Sequence, residues 1–152
     1  MSETGSEPSD KALIIRELLA LSTKAMETTD KILEDVKAMR EDFNKLKPLR
    51  DKLEAFQKAD VHNDSARSYN STIASLSTPM KALRGPDNID VQGLFHNGEP
   101  VTPGQLMDLQ DSAVEQILVD LDLESTGSTE QKKARLVAFC GLKGAINTIA
   151  KE

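Results

Sequence analysis

The chain has 152 residues, 38% of them hydrophobic, with 19 basic against 25 acidic side chains and a formal charge of −6. Four Phe, one Tyr and no Trp are few large side chains with which to line the deep pocket that a globular enzyme of this size needs. No apolar run approaches the roughly 18 residues of a membrane-spanning helix, and the single cysteine, Cys140, excludes an internal disulfide and fits a reducing compartment.

Residues 1–9 combine Ser, Glu, Gly and Pro without a hydrophobic period and read as a disordered leader. The start is acidic and lacks the basic-then-apolar pattern of a secretory signal, so the expected location is intracellular, cytoplasm or nucleus, and not secreted. Asn63-Asp64-Ser65 and Asn70-Ser71-Thr72 match glycosylation acceptors that such a protein does not present to the machinery. Ser9 or Asp10 can cap the helix that follows. From Lys11 to Lys47 there is neither Pro nor Gly, and strong helix formers dominate. The expectation is a helix of about 37 residues, roughly 55 Å, within a segment 10–56.

Apolar spacing in this segment is the clearest pattern in the chain. Leu18, Ala25, Ile32, Met39, Leu46 and Leu53 recur at every seventh residue, and Ile15, Ser22, Thr29, Val36, Phe43 and Arg50 form the companion set. With the first set as d and the second as a, the seam is apolar from Ile32 through Val36, Met39 and Phe43 to Leu46, and half-polar before it. A sustained seven-residue repeat imposes a left-handed supercoil, because only an underwound helix keeps the stripe on its partner. Two readings stay open: a coiled coil between copies of this chain, or a helix packed in a bundle or against a different helix. Ser22 and Thr29 weaken the seam in a way that sets register or partner choice. Pro48 predicts a kink rather than a boundary, since Leu46, Leu49, Leu53 and Phe56 carry the stripe across it.

Residues 57–101 read as a flexible middle. The stretch 57–72 is polar and predicts fraying or a loop. Ile73, Leu76, Met80 and Leu83 suggest a short amphipathic helix, interrupted by Pro79 and ended by Gly85-Pro86. Glycines and prolines cluster through 85–104, the best linker candidate. Asn97-Gly98 signals a type I′ turn. A small hairpin there competes with an extended docking segment, because Pro100 spoils the returning strand.

Residues 102–152 predict a small helical module. Thr102-Pro103-Gly104-Gln105 is a capping box with proline at the first helical position, and Ser128-Thr129-Glu130-Gln131 repeats the box. Leu106, Leu109, Ala113, Val114, Ile117 and Leu121 mark one face of a first helix, and Leu136, Phe139, Cys140, Ile146 and Ile149 a face of the second. About 50 residues is near the lower limit for a self-sufficient core, so the module is expected to lean on the long helix or on a partner.

Within it, Val114, Leu118, Leu123 and Gly127, followed by Arg135-Leu136, resemble the pattern of the SAP motif family over about 30 residues. That resemblance implies a helix–extended loop–helix module and binding to DNA or a role in chromatin or RNA processing. The sequence departs from the family pattern where Lys132 replaces an apolar core residue and where the surroundings are acidic. Lys132, Lys133 and Arg135 form the one basic cluster, a weak phosphate contact at a helix start; the plainer reading is a solvated face. Every section of the chain is mildly acidic, which argues against general binding of phosphate backbones.

No catalytic, cofactor-binding or metal-ligating set is expected. His62, His96 and Cys140 lack ligand spacing, and no nucleophile elbow or phosphate loop occurs. Carboxylate pairs such as Glu34-Asp35 lie on the polar helix face. Thr78-Pro79-Met80-Lys81 fits a proline-directed kinase site, where phosphate would add about −1.5 to −2 charge. The expectation is thus an all-α, non-enzymatic coiled-coil subunit or adaptor. It oligomerises with itself or a partner helix through its N-terminal helix and docks a protein through its C-terminal module. The alternative is a DNA- or RNA-associated protein acting through the SAP-like module; no membrane role is expected.

Overall fold

The computed structural model describes residues 9–142 together with 144, 146 and 147. Most of the expected leader, and Ile149 at the expected C-terminal face, lie outside the described residues. The chain divides into two units, Met1–Leu49 and Arg50–Glu152. The fold is mainly α, with one small two-stranded sheet.

The first unit is helix from Asp10 onward, the opening part of α1 (Asp10–Asn70). Ser9 starts it as expected, its hydroxyl accepting from the Ala12 N–H at 3.4 Å. Every residue from Ser9 to Leu49 is exposed. The helix continues through Pro48, although its missing N–H leaves the Asn44 carbonyl without an intrahelical donor.

The second unit begins within the same helix. The fraying or loop expected at 57–72 is corrected here: α1 runs on to Asn70. Its last turns present Ala59, Asn63, Ala66 and Asn70 as buried residues, spaced at four, three and four so that all lie on one face. The alanines are small enough for chain 80–84 to approach closely, and the asparagines bind its backbone. Asn63 Nδ2 donates to the Arg84 carbonyl at 2.9 Å, and its Oδ1 accepts from the Arg84 N–H at 2.7 Å. One heptad on, Asn70 treats Lys81 the same way, at 3.0 and 2.7 Å, and its Nδ2 also donates to the Cys140 carbonyl at 2.9 Å. Between them, His62 Nε2 donates to the Ala82 carbonyl at 3.0 Å.

The middle segment is likewise not a free linker. Ile73, Met80, Leu83, Val91, Leu94 and Val101 are buried in the same core as Leu106, Val114, Ile117, Leu118, Leu136 and Leu142. It holds a single 3₁₀ turn, Gln92–Leu94, in place of the amphipathic helix suggested around Leu76. The hairpin does form, from β1 (Phe95–His96) and β2 (Glu99–Pro100), antiparallel, with Phe95 opposite Pro100 and His96 opposite Glu99. Asn97 and Gly98 take φ of 53° and 82°, the two positive values a type I′ turn requires. Pro100 is tolerated because the ladder bonds alternate. The Val101 N–H donates to the Leu94 carbonyl at 3.0 Å, which makes the intervening Phe95–Pro100 pair a non-hydrogen-bonded one that needs no N–H.

The first C-terminal helix divides in two: α2 (Pro103–Met107) and α3 (Asp111–Asp120). Asp108 caps the end of α2, and Asp111 starts α3, where a carboxylate favours the N-terminal dipole. α4 (Thr129–Phe139) follows. Both predicted capping boxes are present, at Thr102/Gln105 and Ser128/Gln131. α3 and α4 end alike. After α3 the Leu123 N–H reaches the Leu118 carbonyl and Asp122 that of Val119; after α4, Leu142 reaches Val137 and Gly141 reaches Ala138. These are paired Schellman closures, with Asp122 and Gly141 in the left-handed region at φ 57° and 81°.

Candidate functional site

The heptad face is the most extensive candidate surface. In the first unit, Leu18, Ala25, Ile32, Val36, Met39, Phe43 and Leu46 are all exposed, with Met39 at 69% and Phe43 at 65% of full accessibility. Leu53, in the second unit, is exposed as well. The half-polar part of the seam is less polar than its composition implies. Thr29 Oγ1 donates to the Ala25 carbonyl at 2.8 Å, so the hydroxyl is satisfied within its own helix and the methyl is left for a neighbour. Polar contacts on this helix are surface ones, such as Lys45 to Asp42 at 3.2 Å with both side chains about three-quarters exposed, and contribute little.

The basic cluster is arranged differently from the expectation. Lys132 is buried, and its ammonium sits between Asp111, at 3.1 and 3.2 Å, and Glu115, at 3.1 Å. Its charge is matched by two carboxylates of α3. The hydrogen bonds it donates to Asp111 and then to Glu115 raise its pKa above the ordinary lysine value. Asp111 is held below the usual carboxylate range, first by the Thr129 hydroxyl donating at 2.8 Å and then by Lys132. Lys133 Nζ donates to the Met107 carbonyl. Arg135 donates to the carbonyls of Glu124 and Thr126, clasping the turn between α3 and α4. The three cations therefore tie the module to itself rather than presenting a common face.

Beside Lys133 lies a shallow apolar groove of about 320 Å³, lined by Met107, Ala134, Val137 and Ile146 with Glu130, Lys133 and Asn147. Thr78 is half-buried in a bend, its N–H donating to the Ser75 carbonyl at 3.3 Å. Pro79 next to it is exposed and Met80 is buried. The motif is thus in a packed turn and not a free hinge.

Among the described residues, no group of three or more His, Cys, Asp or Glu is placed to hold a metal ion, and no helix is long and apolar enough to cross a membrane. Cys140 is fully buried, and burial pushes its thiol up to about 12, which suppresses the reactive thiolate. The asparagine pair Asn63/Asn70 was not foreseen. Its polar side chains suggested a loop, but the Ala59–Asn63–Ala66–Asn70 spacing without Gly or Pro was the available signal of a docked helix face. No protein-family model matches the sequence, and comparison with curated proteins and with solved structures finds no match.

Proposed function

We propose that the chain is a non-enzymatic structural or adaptor subunit that assembles through a coiled coil along its N-terminal helix and docks a protein partner through its C-terminal module. One observation carries this reading: the seam, apolar from Ile32 to Leu46, is exposed along its length on the single chain. Covering one Leu, Ile, Met or Phe side chain yields about 1.5–3 kcal/mol. Isolated helices draw most of their stability from packing such a face, so this one is built to be covered. A kink at Pro48 is the expected local consequence of its missing N–H. The apolar groove at Met107 and Val137 supports a docking role for the module.

The test is the Ile32→Asp/Met39→Asp double variant in the full chain, with mass read by light scattering and helicity by circular dichroism. Collapse of the assembled mass to a single chain, with loss of helix, supports the reading; an unchanged mass and spectrum overturns it. The DNA or RNA alternative draws on the helix–turn–helix arrangement of α3 and α4, but Lys132, Lys133 and Arg135 would have to leave their present partners to contact phosphate.

A further inference from the structure

The coiled-coil reading leaves the partner open, and the positions flanking the seam identify it. With Ile15 as a and Leu18 as d, position g holds Ile14, Leu21, Thr28, Asp35 and Asp42, and position e holds Leu19, Met26, Leu33, Arg40 and Lys47. In a parallel, in-register coil each g side chain meets the e side chain five residues further along the neighbouring chain. Self-pairing then sets Ile14 against Leu19, Leu21 against Met26, Asp35 against Arg40 and Asp42 against Lys47. Apolar meets apolar, and acid meets base. Thr28 against Leu33 is the least matched pair, and the Thr28 hydroxyl is already satisfied by the Lys24 carbonyl at 2.8 Å.

Antiparallel self-pairing opposes g to g and e to e. If the charged half faces itself, Asp35 and Asp42 oppose each other, and so do Arg40 and Lys47. If it faces the other half, those charges lie against Leu21 and Met26. Both arrangements lose what the parallel register gains.

The face is also wider than a two-chain seam. A pair of helices covers a and d, whereas an apolar stripe that includes e or g belongs to a helix with more neighbours. Leu19, Leu21 and Met26 are about two-thirds exposed, and a two-chain coil would leave them largely in water. Positions b, c and f carry the outward charges, among them Glu27, Lys31 and Glu34, and Pro48 falls at f, farthest from the seam. Resting on the coiled-coil reading above, we infer that this helix assembles with further copies of itself, parallel and in register, as a bundle of three or more chains.

The experiment uses the full chain. Lys11 lies at a d position in the first helical turn, outside the apolar seam, so Lys11→Cys places a thiol at one end, and Leu46→Cys places one at the other. The native Cys140 is buried, so the unsubstituted chain serves as the control. In parallel register the two introduced positions stand about 50 Å apart along the axis. In a glutathione buffer, Lys11→Cys should form disulfide-linked dimers with itself, while a mixture with Leu46→Cys should form no mixed dimer. Sedimentation equilibrium should give at least three times the chain mass of 16.6 kDa. Arg40→Asp/Lys47→Asp should weaken assembly on the order of tenfold or more, and mixing that variant with Asp35→Lys/Asp42→Lys should recover part of it, since contacts between unlike chains pair acid with base. Mixed Lys11→Cys–Leu46→Cys dimers overturn the parallel register, and no recovery on mixing the charge variants overturns the pairing of acid with base between copies; both leave the assembly reading standing. A two-chain mass overturns the wider bundle; a single-chain mass overturns both the inference and self-assembly.

Discussion

Asn70 is the residue on which the second unit's packing turns, and its removal has a calculable consequence. The side chain is fully buried and makes three hydrogen bonds, two to Lys81 and one to the Cys140 carbonyl. Asn70→Ala withdraws the side-chain donor from the buried Cys140 carbonyl, which costs about 1–3 kcal/mol, and forfeits two bonds to Lys81 worth about 0.5–1.5 kcal/mol each. The sum is about 2–6 kcal/mol, or roughly 30- to 20,000-fold in an opening equilibrium. The assay is built into the chain, because Cys140 is its single cysteine and is buried. Its labelling by a thiol reagent must await opening of the unit, so the rate follows the opening equilibrium where reclosing is fast. Asn70→Ala should label at least 30-fold faster than the parent chain. Asn63→Ala, which releases only the Arg84 peptide, should show a smaller acceleration. A rate for Asn70→Ala within about threefold of the parent would refute the reasoning, since that corresponds to less than about 1 kcal/mol.

Three further outcomes follow from the C-terminal module. Asp111 has its pKa lowered in the folded chain by Thr129 and Lys132, so its contribution is present above the ordinary carboxylate value and is lost as pH falls through the lower folded value. The stability gap between the parent and Asp111→Asn should therefore be full near neutrality and close below about pH 4, measured by urea unfolding across pH; a gap independent of pH contradicts this. Gly141→Ala should lower stability by at least about 1–2 kcal/mol from the left-handed backbone alone. Its Cβ would also stand 2.7 Å from the Arg67 carbonyl oxygen, and an unchanged urea midpoint would count against the described packing. Fluorescence anisotropy with labelled duplex DNA, single-stranded DNA and RNA should show no saturable, salt-sensitive binding, because Lys132, Lys133 and Arg135 are engaged internally. Binding abolished by Glu at those positions would favour the nucleic-acid alternative.

What the sequence disclosed follows a physical division. Local backbone chemistry was legible: the capping boxes at Thr102 and Ser128 and the Asn97-Gly98 turn are each satisfied within a few residues, and each is present. The long helix was legible from Lys11 to Lys47 because periodicity and propensity agree there. Its extension to Asn70 was not, because asparagine disfavours helix interiors in the absence of a partner, and the backbone it binds, chain 80–84, lies 11 to 21 residues further along. The same reasoning misread Lys132. A lysine in a basic run ordinarily faces solvent, and only the folded α3–α4 pair brings Asp111 and Glu115 to it. Pro100 looked incompatible with a strand until its place in the ladder was known. The seven-residue stripe was legible as a pattern, and its residues are exposed on the single chain.

The central claim is that the N-terminal helix exists to be covered by another helix. Sedimentation equilibrium of the full chain across a wide concentration range, with ellipticity at 222 nm recorded on the same samples, tests it most directly. The account predicts a mass several times that of one chain, and a parallel fall in mass and helicity on dilution. A single-chain mass at every concentration, with undiminished helicity, would contradict it.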